Sequence, residues 1–287
     1  MKYRFVSRLA LVGATVAVLF SSPQHHAYAQ SNPVDDTQRL TPTLVLKLQE
    51  MQSRFEKKEV GEFDMKHILN IFTAIDEKEA GELKRLTGEF KHNYILRLGL
   101  GVHYLFKAEQ VRGDADWTSL PVETREKALT HLRNSERELR ASMELSRQPY
   151  FSIFHLMHIS MLSQRPVETH DLYRQADRFF SDTVLVRNRY AISLTPRWGG
   201  DYKELVAFIA RIRKERGSPS TVNQLVAIYE ADFGHTLEEH GQSDEASVHF
   251  HRALNLGKDI GGSFTKDYLG VPLRYVCRAS RNLAVCP

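Results

Sequence analysis

This sequence of 287 residues contains few cysteines and tryptophans, two of each. Its formal net charge is small, +4. Two cysteines are too few for a disulfide-dense miniature scaffold or a cysteine-rich zinc module. Three of the 39 basic residues, Lys2, Arg4 and Arg8, lie in the first 29 residues, which contain no acid. The rest of the chain therefore has 36 basic residues (39 minus 3) against 35 acidic ones. A net charge of +1 gives no support to nucleic-acid binding, and we expect no nucleic-acid partner.

Recognisable catalytic and cofactor motifs are missing as well. The sequence contains no Gly-x-Ser-x-Gly, no phosphate-binding loop, no dinucleotide fingerprint and no haem-attachment Cys-x-x-Cys-His. We therefore predict no catalytic residue and no cofactor. After Phe20 no apolar run approaches the roughly 20 residues that cross a bilayer.

The first 29 residues have the three parts of a secretory signal peptide. A basic start is followed by the uncharged, mostly apolar stretch 9–20 and then by Ala27-Tyr28-Ala29, which suits a signal peptidase. We expect cleavage after Ala29 and export to the periplasm or the medium, with no stable membrane insertion afterwards. An uncleaved anchor is the alternative. The polar segment 30–40 is predicted to be a disordered leader, and 41–287 the folded domain.

Both cysteines, Cys277 and Cys286, lie in the last eleven residues. Because exported proteins fold in an oxidising compartment, an even pair of cysteines there favours a disulfide. Two free thiols, one of them buried, are the alternative.

Helical periodicity dominates the sequence. Apolar residues recur at steps of three or four, as in Leu44, Leu48, Met51 and Phe55, which creates one apolar helix face. Pro and Gly interrupt the pattern at short intervals and predict about ten or eleven helices of roughly 12–24 residues. Short connections make neighbouring helices antiparallel. The predicted fold is all-α, built of stacked helical hairpins.

The segment 227–260 is similar to a tetratricopeptide repeat. Small residues stand where the two helices of such a repeat touch, and an aromatic fills the next gap. The matching residues are Phe233, Gly234 and Leu237 in the first helix and Ala246, Phe250 and Ala253 in the second. A weaker copy starts near Asn93, with Leu98, Gly99 and Val102, then Ala128, Leu132 and Ser135. The resemblance implies an irregular tetratricopeptide-like α-solenoid. An irregular helical bundle is the alternative.

The stretch Leu194-Thr-Pro-Arg-Trp-Gly-Gly200 resembles the signature of an uncharacterised bacterial family, a domain of unknown function. The resemblance covers about residues 90–240 and implies a bacterial helical protein without an established activity. Physically the segment is a helix stop, a tight turn and a new helix start, with Asp201 as the cap. Arg197 and Trp198 are either structural parts of this turn or an exposed platform for a ligand.

The tetratricopeptide resemblance also implies a binding groove. Its groove positions fall on Asn93, His103 and Tyr104 in the weaker copy, and on His235, Glu238 and Glu239 in the clearer one. The Lys, Asn and Arg set with which some members clamp a C-terminal carboxylate is not reproduced. Helical repeat proteins usually present such a surface to a partner, so we expect a non-catalytic scaffold or adaptor that binds a protein or peptide.

Two alternatives remain open at this point. One is an envelope enzyme, such as a hydrolase, whose site spans several helices and leaves no local motif. The other is a metal-binding protein that uses His155 and His158, which stand three apart beside methionines. No metal ligand is predicted, because aromatic residues and methionines at helical spacing are usually core. His235 and His240 also diverge on a helix.

Overall fold

The computed structural model describes residues 41–280 except 114–116, 118, 180–182, 216, 259, 261–263 and 265–267. Throughout these residues the secondary structure is helical, without a strand, which confirms the all-α prediction. The predicted signal peptide and leader lie outside the described residues. Cys277 is half-buried in the last described helix, but Cys286 lies outside the described residues, so the disulfide between them stays a prediction.

The helices are shorter and more numerous than the periodicity suggested. Their lengths range from four residues in α3 to 22 residues in α6. In chain order they are α1 Pro42–Glu56, α2 Glu62–Leu69, α3 Ile71–Ala74, α4 Glu77–Glu89, α5 Tyr94–Arg112, α6 Val122–Met143, α7 Tyr150–Leu162, α8 Pro166–Asp177, α9 Leu185–Ser193, α10 Tyr202–Lys214, α11 Pro219–Glu239, α12 Ser243–Lys258 and α13 Gly270–Ser280. A 3-10 turn, Pro196–Trp198, separates α9 from α10.

Side-chain caps explain where several helices begin. Asp76 and Glu79 form a reciprocal capping box at the start of α4. Asn93 accepts a hydrogen bond from the Leu96 N–H at 3.1 Å, and Asp201 accepts one from the Lys203 N–H at 2.6 Å. These side chains satisfy backbone donors that have no partner within the first turn of a helix. The expected cap at Asp201 is thereby confirmed.

Consecutive helices pack as hairpins. The extensive pairs are α5 with α6, α7 with α8, and α11 with α12. Helix α5 also touches α7, and α9 touches α7, α8 and α11. The N-terminal helices α1, α3 and α4 pack on α5. Helix α7 lies in the middle of these contacts.

The core explains why α7 is central. Tyr150, Phe151 and Phe154 are almost completely buried, and the Phe151 ring lies 5.1 Å from that of Phe55 in α1. A helix that is apolar around its whole circumference must be covered on every side. Aromatic side chains contribute large buried areas. The aromatic residues of α7 therefore join the N-terminal helices to the hairpins that follow.

Glycines mark the closest approaches between helices. Gly234 of α11 lies against Phe250 of α12, as the resemblance implied, and an added Cβ would stand 2.9 Å from that ring. In the earlier hairpin the residue that approaches α6 is Gly101, against Leu139. Gly99 instead faces Phe72 of α3, with 2.4 Å between that ring and an added Cβ. The close contact in this hairpin thus falls two residues later than the sequence comparison placed it.

The carboxylate of Glu62 connects α2 to the start of α9. Glu62 of α2 accepts hydrogen bonds from the backbone N–H groups of Val184 at 2.6 Å and Leu185 at 3.1 Å, where α9 starts. It also accepts one from the Tyr150 hydroxyl. Burial raises the pKa of Glu62, and these hydrogen bonds act in the opposite direction. Glu62 therefore caps a helix that lies more than 120 residues away in the sequence.

A helix that crosses a bilayer needs about 20 predominantly apolar residues. None of the described helices combines sufficient length with sufficient apolar character to cross a membrane.

Candidate functional site

The turn between α9 and α10 is built from the signature residues. Gly199 has a φ of 83°, and its N–H donates to the Pro196 carbonyl at 2.9 Å. The Gly200 N–H donates to the Thr195 carbonyl at 3.1 Å. An added Cβ on Gly200 would lie 2.3 Å from the Leu194 carbonyl oxygen. The two glycines are therefore required by the backbone, one for its left-handed conformation and the other for space.

Arg197 is engaged within the fold. Its guanidinium lies 2.5 Å from a carboxylate oxygen of Asp232 in α11. The other oxygen of Asp232 accepts a hydrogen bond from the Tyr202 hydroxyl at 2.8 Å. Burial, and then the charge of Asp232, raise the pKa of Tyr202. This arrangement favours the structural interpretation of Arg197, while Trp198 next to it is half-buried.

The other residues predicted on α11 lie near the end of that helix. The Nδ1 atom of His235 lies 3.4 Å from a carboxylate oxygen of Glu239, one turn away. Glu238 and Glu239 are exposed. None of these three residues is among those that line the groove described next. The structure thus separates the predicted groove residues of the two repeat copies into different neighbourhoods.

A groove of about 540 Å³ lies between α4, α5 and α6. Of the predicted residues, His103 and Tyr104 line it, whereas Asn93 caps α5 and does not. Leu100 and Val111 add apolar surface. The remaining lining residues are Glu77, Ala80, Gly81, Lys84, Lys107, Gln110, Lys127 and His131. Three different helices therefore contribute polar and apolar groups to one concavity.

The charges in this groove are mainly positive. Among the residues that the structure describes, three lysines line it against one carboxylate, that of Glu77. Glu77 pairs with Lys107 at 2.9 Å. Burial lowers the pKa of His103 and of His131, and the charge of Lys107 acts in the same direction on both rings. The groove combines ammonium groups with neutral imidazoles at neutral pH.

Sequence reasoning missed the basic character of this groove. Lys84, Lys107, Lys127 and His131 were not singled out, although a signal was available. Lys107 stands four residues after His103, and His131 four residues after Lys127, so each pair shares a helix face. Which faces meet is decided by tertiary packing, and that information is not present in either helix alone.

His155 and His158 of α7, the candidates of the metal-binding alternative, lie in different surroundings. Burial, helped by the charges of Arg189 and Lys66, lowers the pKa of His155 to about 3. The Nε2 atom of His158 lies 3.3 Å from Glu109 of α5, whose pKa burial raises to about 7. Among the described residues no three His, Cys, Asp or Glu side chains converge in a way that would hold a metal ion.

Replacing His155 with Gln should flatten the acid dependence of stability. The folded pKa of about 3 lies below the ordinary value of 6.5. The unfolded chain therefore binds a proton first, and this histidine makes the fold less stable as the pH falls from about 6.5 toward 3. Between pH 6 and 4.5 the wild type should lose up to ~1.4 kcal/mol per pH unit more than the variant.

Urea denaturation at pH 7, 6, 5 and 4.5 measures this difference in slope. His251→Gln serves as the control, because His251 is exposed on α12 and its removal should leave the wild-type slope unchanged. Equal slopes for wild type and His155→Gln would show that His155 does not remain neutral in the folded protein.

No known protein family, characterised protein or solved structure is significantly similar to this chain. What the structure defines is a class: an all-helical protein of packed hairpins, with a basic groove between three of its helices.

Proposed function

We propose that this chain is an exported, non-catalytic scaffold or adaptor that holds a peptide segment of a partner protein in the groove between α4, α5 and α6. We further propose that its hairpins form an irregular tetratricopeptide-like solenoid. The successive contacts of α5, α7, α9 and α11 support this arrangement. In a solenoid each repeat packs mainly on its neighbours. The close contact between Gly234 and Phe250 also supports it.

The proposed address follows from the first 29 residues. A basic start, a short apolar run and Ala27-Tyr28-Ala29 direct a chain to the periplasm or the medium in a bacterium. The proposed Cys277–Cys286 disulfide agrees with that compartment, because disulfides form and persist where conditions are oxidising. The resemblance of the segment from Leu194 to Gly200 to a bacterial family is the basis on which we propose a bacterial origin.

The observation that carries the proposed function is the composition of the groove. Leu100 and Val111 give the groove apolar patches, and Tyr104 contributes an aromatic ring that carries a hydroxyl. Such a mixture of apolar and polar groups suits a peptide with alternating side chains. The Tyr104 side chain is half-buried beside His103, with ring centroids 5.9 Å apart. A half-buried tyrosine offers contact area at a low entropic cost. Tyr104 is therefore the expected anchor of the bound segment.

Selection from a displayed library of random peptides tests the proposal. We expect the chain without residues 1–29 to enrich peptides that bind with a dissociation constant of about 1–100 µM. Tyr104→Ala should weaken the selected peptides about tenfold or more. Phe90→Ala is the matched control, since Phe90 is 52% exposed and does not line the groove. If no peptide is enriched, or if the two variants bind alike, the groove is not a peptide site.

A further inference from the structure

We propose that the groove between α4, α5 and α6 binds an acidic peptide segment, whose side-chain carboxylates replace Glu77 at Lys107 and reach Lys84 and Lys127. This inference rests on the proposed function and names the chemistry of its ligand. It concerns aspartate and glutamate side chains within a segment, and requires no free C-terminus.

The first argument is the imbalance of charge. Of the described residues that line the groove, three carry ammonium groups and one, Glu77, carries a carboxylate. A second groove of about 460 Å³, between α6 and α8, provides a contrast within the same protein. Its cations are compensated: Arg140 lies 2.7 Å from Glu136, and Arg165 lies 2.9 Å from Glu168. Only the first of these two grooves has positive charge in excess, and complementary charge selects partners.

The second argument is the exposure of the Glu77–Lys107 pair. The Glu77 side chain is 85% exposed, whereas that of Lys107 is 26% exposed. A pair whose acidic member stands in solvent contributes little to stability. An incoming carboxylate can therefore take the place of Glu77 at Lys107 with little loss. Glu77 then acts as an internal competitor for the ligand.

The third argument comes from the two histidines. His103 of α5 and His131 of α6 line the groove together with Lys84, Lys107, Lys127, Glu77 and Tyr104. The Nδ1 atom of His131 is buried and has no hydrogen-bond partner among the described residues. Because desolvation and nearby lysines disfavour protonation of both rings, a bound carboxylate would restore it. Ligand binding and proton uptake are therefore expected to support each other.

A peptide fits these features better than a nucleic acid does. Nucleic-acid affinity depends on many phosphate contacts along an extended basic surface. Beyond residue 29 this chain carries 36 basic and 35 acidic residues, and the basic groove is short, with three lysines among its described lining residues. The cations there are lysines, and the paired, planar contacts by which arginine recognises phosphate are absent from the lining residues.

Fluorescence anisotropy with two labelled twelve-residue peptides tests the inference. One peptide alternates Glu and Asp with Ser and Leu. The other has Gln and Asn at the acidic positions, and both are acetylated and amidated to remove terminal charges. We expect the chain without residues 1–29 to bind the acidic peptide at least about tenfold more tightly. Binding should weaken with added salt, because ions screen exposed charges.

Two groove variants with opposite expected effects make the test specific. Lys107→Gln should weaken the acidic peptide about fivefold or more, whereas Glu77→Gln should tighten it about two- to fivefold by freeing Lys107. Lys258→Gln, which removes an exposed lysine of α12, should change nothing. Far-ultraviolet circular dichroism shows that each variant is folded. A loss of structure cannot produce the expected gain in Glu77→Gln.

The pH dependence supplies an independent readout. Binding of the acidic peptide should tighten between pH 7.5 and 5.5, and this gain should shrink in the His103→Gln and His131→Gln variants. Tighter binding of a single-stranded oligonucleotide than of the acidic peptide would overturn the inference. So would acidic-peptide binding that ignores both groove variants. Equal binding of the two peptides at the groove would refute the acidic preference and leave the proposed peptide-binding function standing.

Discussion

The Gly200→Ala variant should lose more than about 3 kcal/mol of unfolding free energy. The added Cβ would stand 2.3 Å from the carbonyl oxygen of Leu194, 2.4 Å from its carbonyl carbon and 2.5 Å from its Cα. All three are backbone atoms, so no change of rotamer removes the overlap. The last turn of α9 and the first turn of α10 must move apart, and the core contacts of both helices are disturbed.

Urea denaturation of the wild type and the variant measures the loss. Gly88→Ala is the matched control, because Gly88 lies in α4 and a Cβ there would meet nothing within 4 Å. Alanine in a helix is favoured over glycine by up to about 1 kcal/mol, so the control should be neutral or slightly stabilised. A Gly200→Ala variant within about 0.5 kcal/mol of the wild type would refute the close approach.

The same turn shows what could be predicted from the sequence. Its stop, its two glycines and the Asp201 cap follow from local rules, since each depends on residues within a few positions. The interaction of Arg197 with Asp232 does not, because the partner stands 35 residues later on another helix. An arginine beside a tryptophan therefore suggested a ligand platform, although its guanidinium is paired with Asp232.

The groove likewise contains residues that the sequence identified and residues that it did not. Transferring repeat positions onto α5 identified His103 and Tyr104 from the sequence, and both line the concavity. The lysines came from α4, α5 and α6, and no local pattern indicates that these three faces meet. Asn93 was assigned to the groove by the same transfer, but its side chain is used to cap α5. Repeat positions predict which face of a helix a residue lies on. The residues that face it from other helices depend on tertiary packing.

The prediction that Gly99 forms the close contact between α5 and α6 was wrong for a related reason. Gly99 and Gly101 are both small and stand two residues apart, so they point to different sides of the helix. Gly99 meets Phe72 and Gly101 meets Leu139. The sequence contains two equivalent candidates for one contact. The position of α3, a helix of four residues, assigns Gly99 to Phe72 and leaves Gly101 for Leu139.

Replacing Glu62 with Ala should cost about 3 kcal/mol, because three hydrogen-bond donors lose their acceptor at once. The N–H groups of Val184 and Leu185 lie at the start of α9, where helix geometry provides no partner. The Tyr150 hydroxyl is buried in the core, and its oxygen also accepts a long hydrogen bond of 3.4 Å from the Val186 N–H. Loss of the carboxylate leaves these groups without their acceptor where water has limited access.

Two further variants separate the hydrogen bonds from the loss of side-chain volume. Glu62→Gln keeps the shape and one acceptor oxygen, but it turns an amide NH₂ toward groups that also donate, so we expect about half of the alanine effect. Glu50→Ala removes an exposed glutamate from α1 and should change stability by less than about 0.5 kcal/mol. Urea denaturation at pH 7 orders the four proteins. If Glu62→Ala matched Glu50→Ala, the stability of α9 would not depend on a carboxylate from α2.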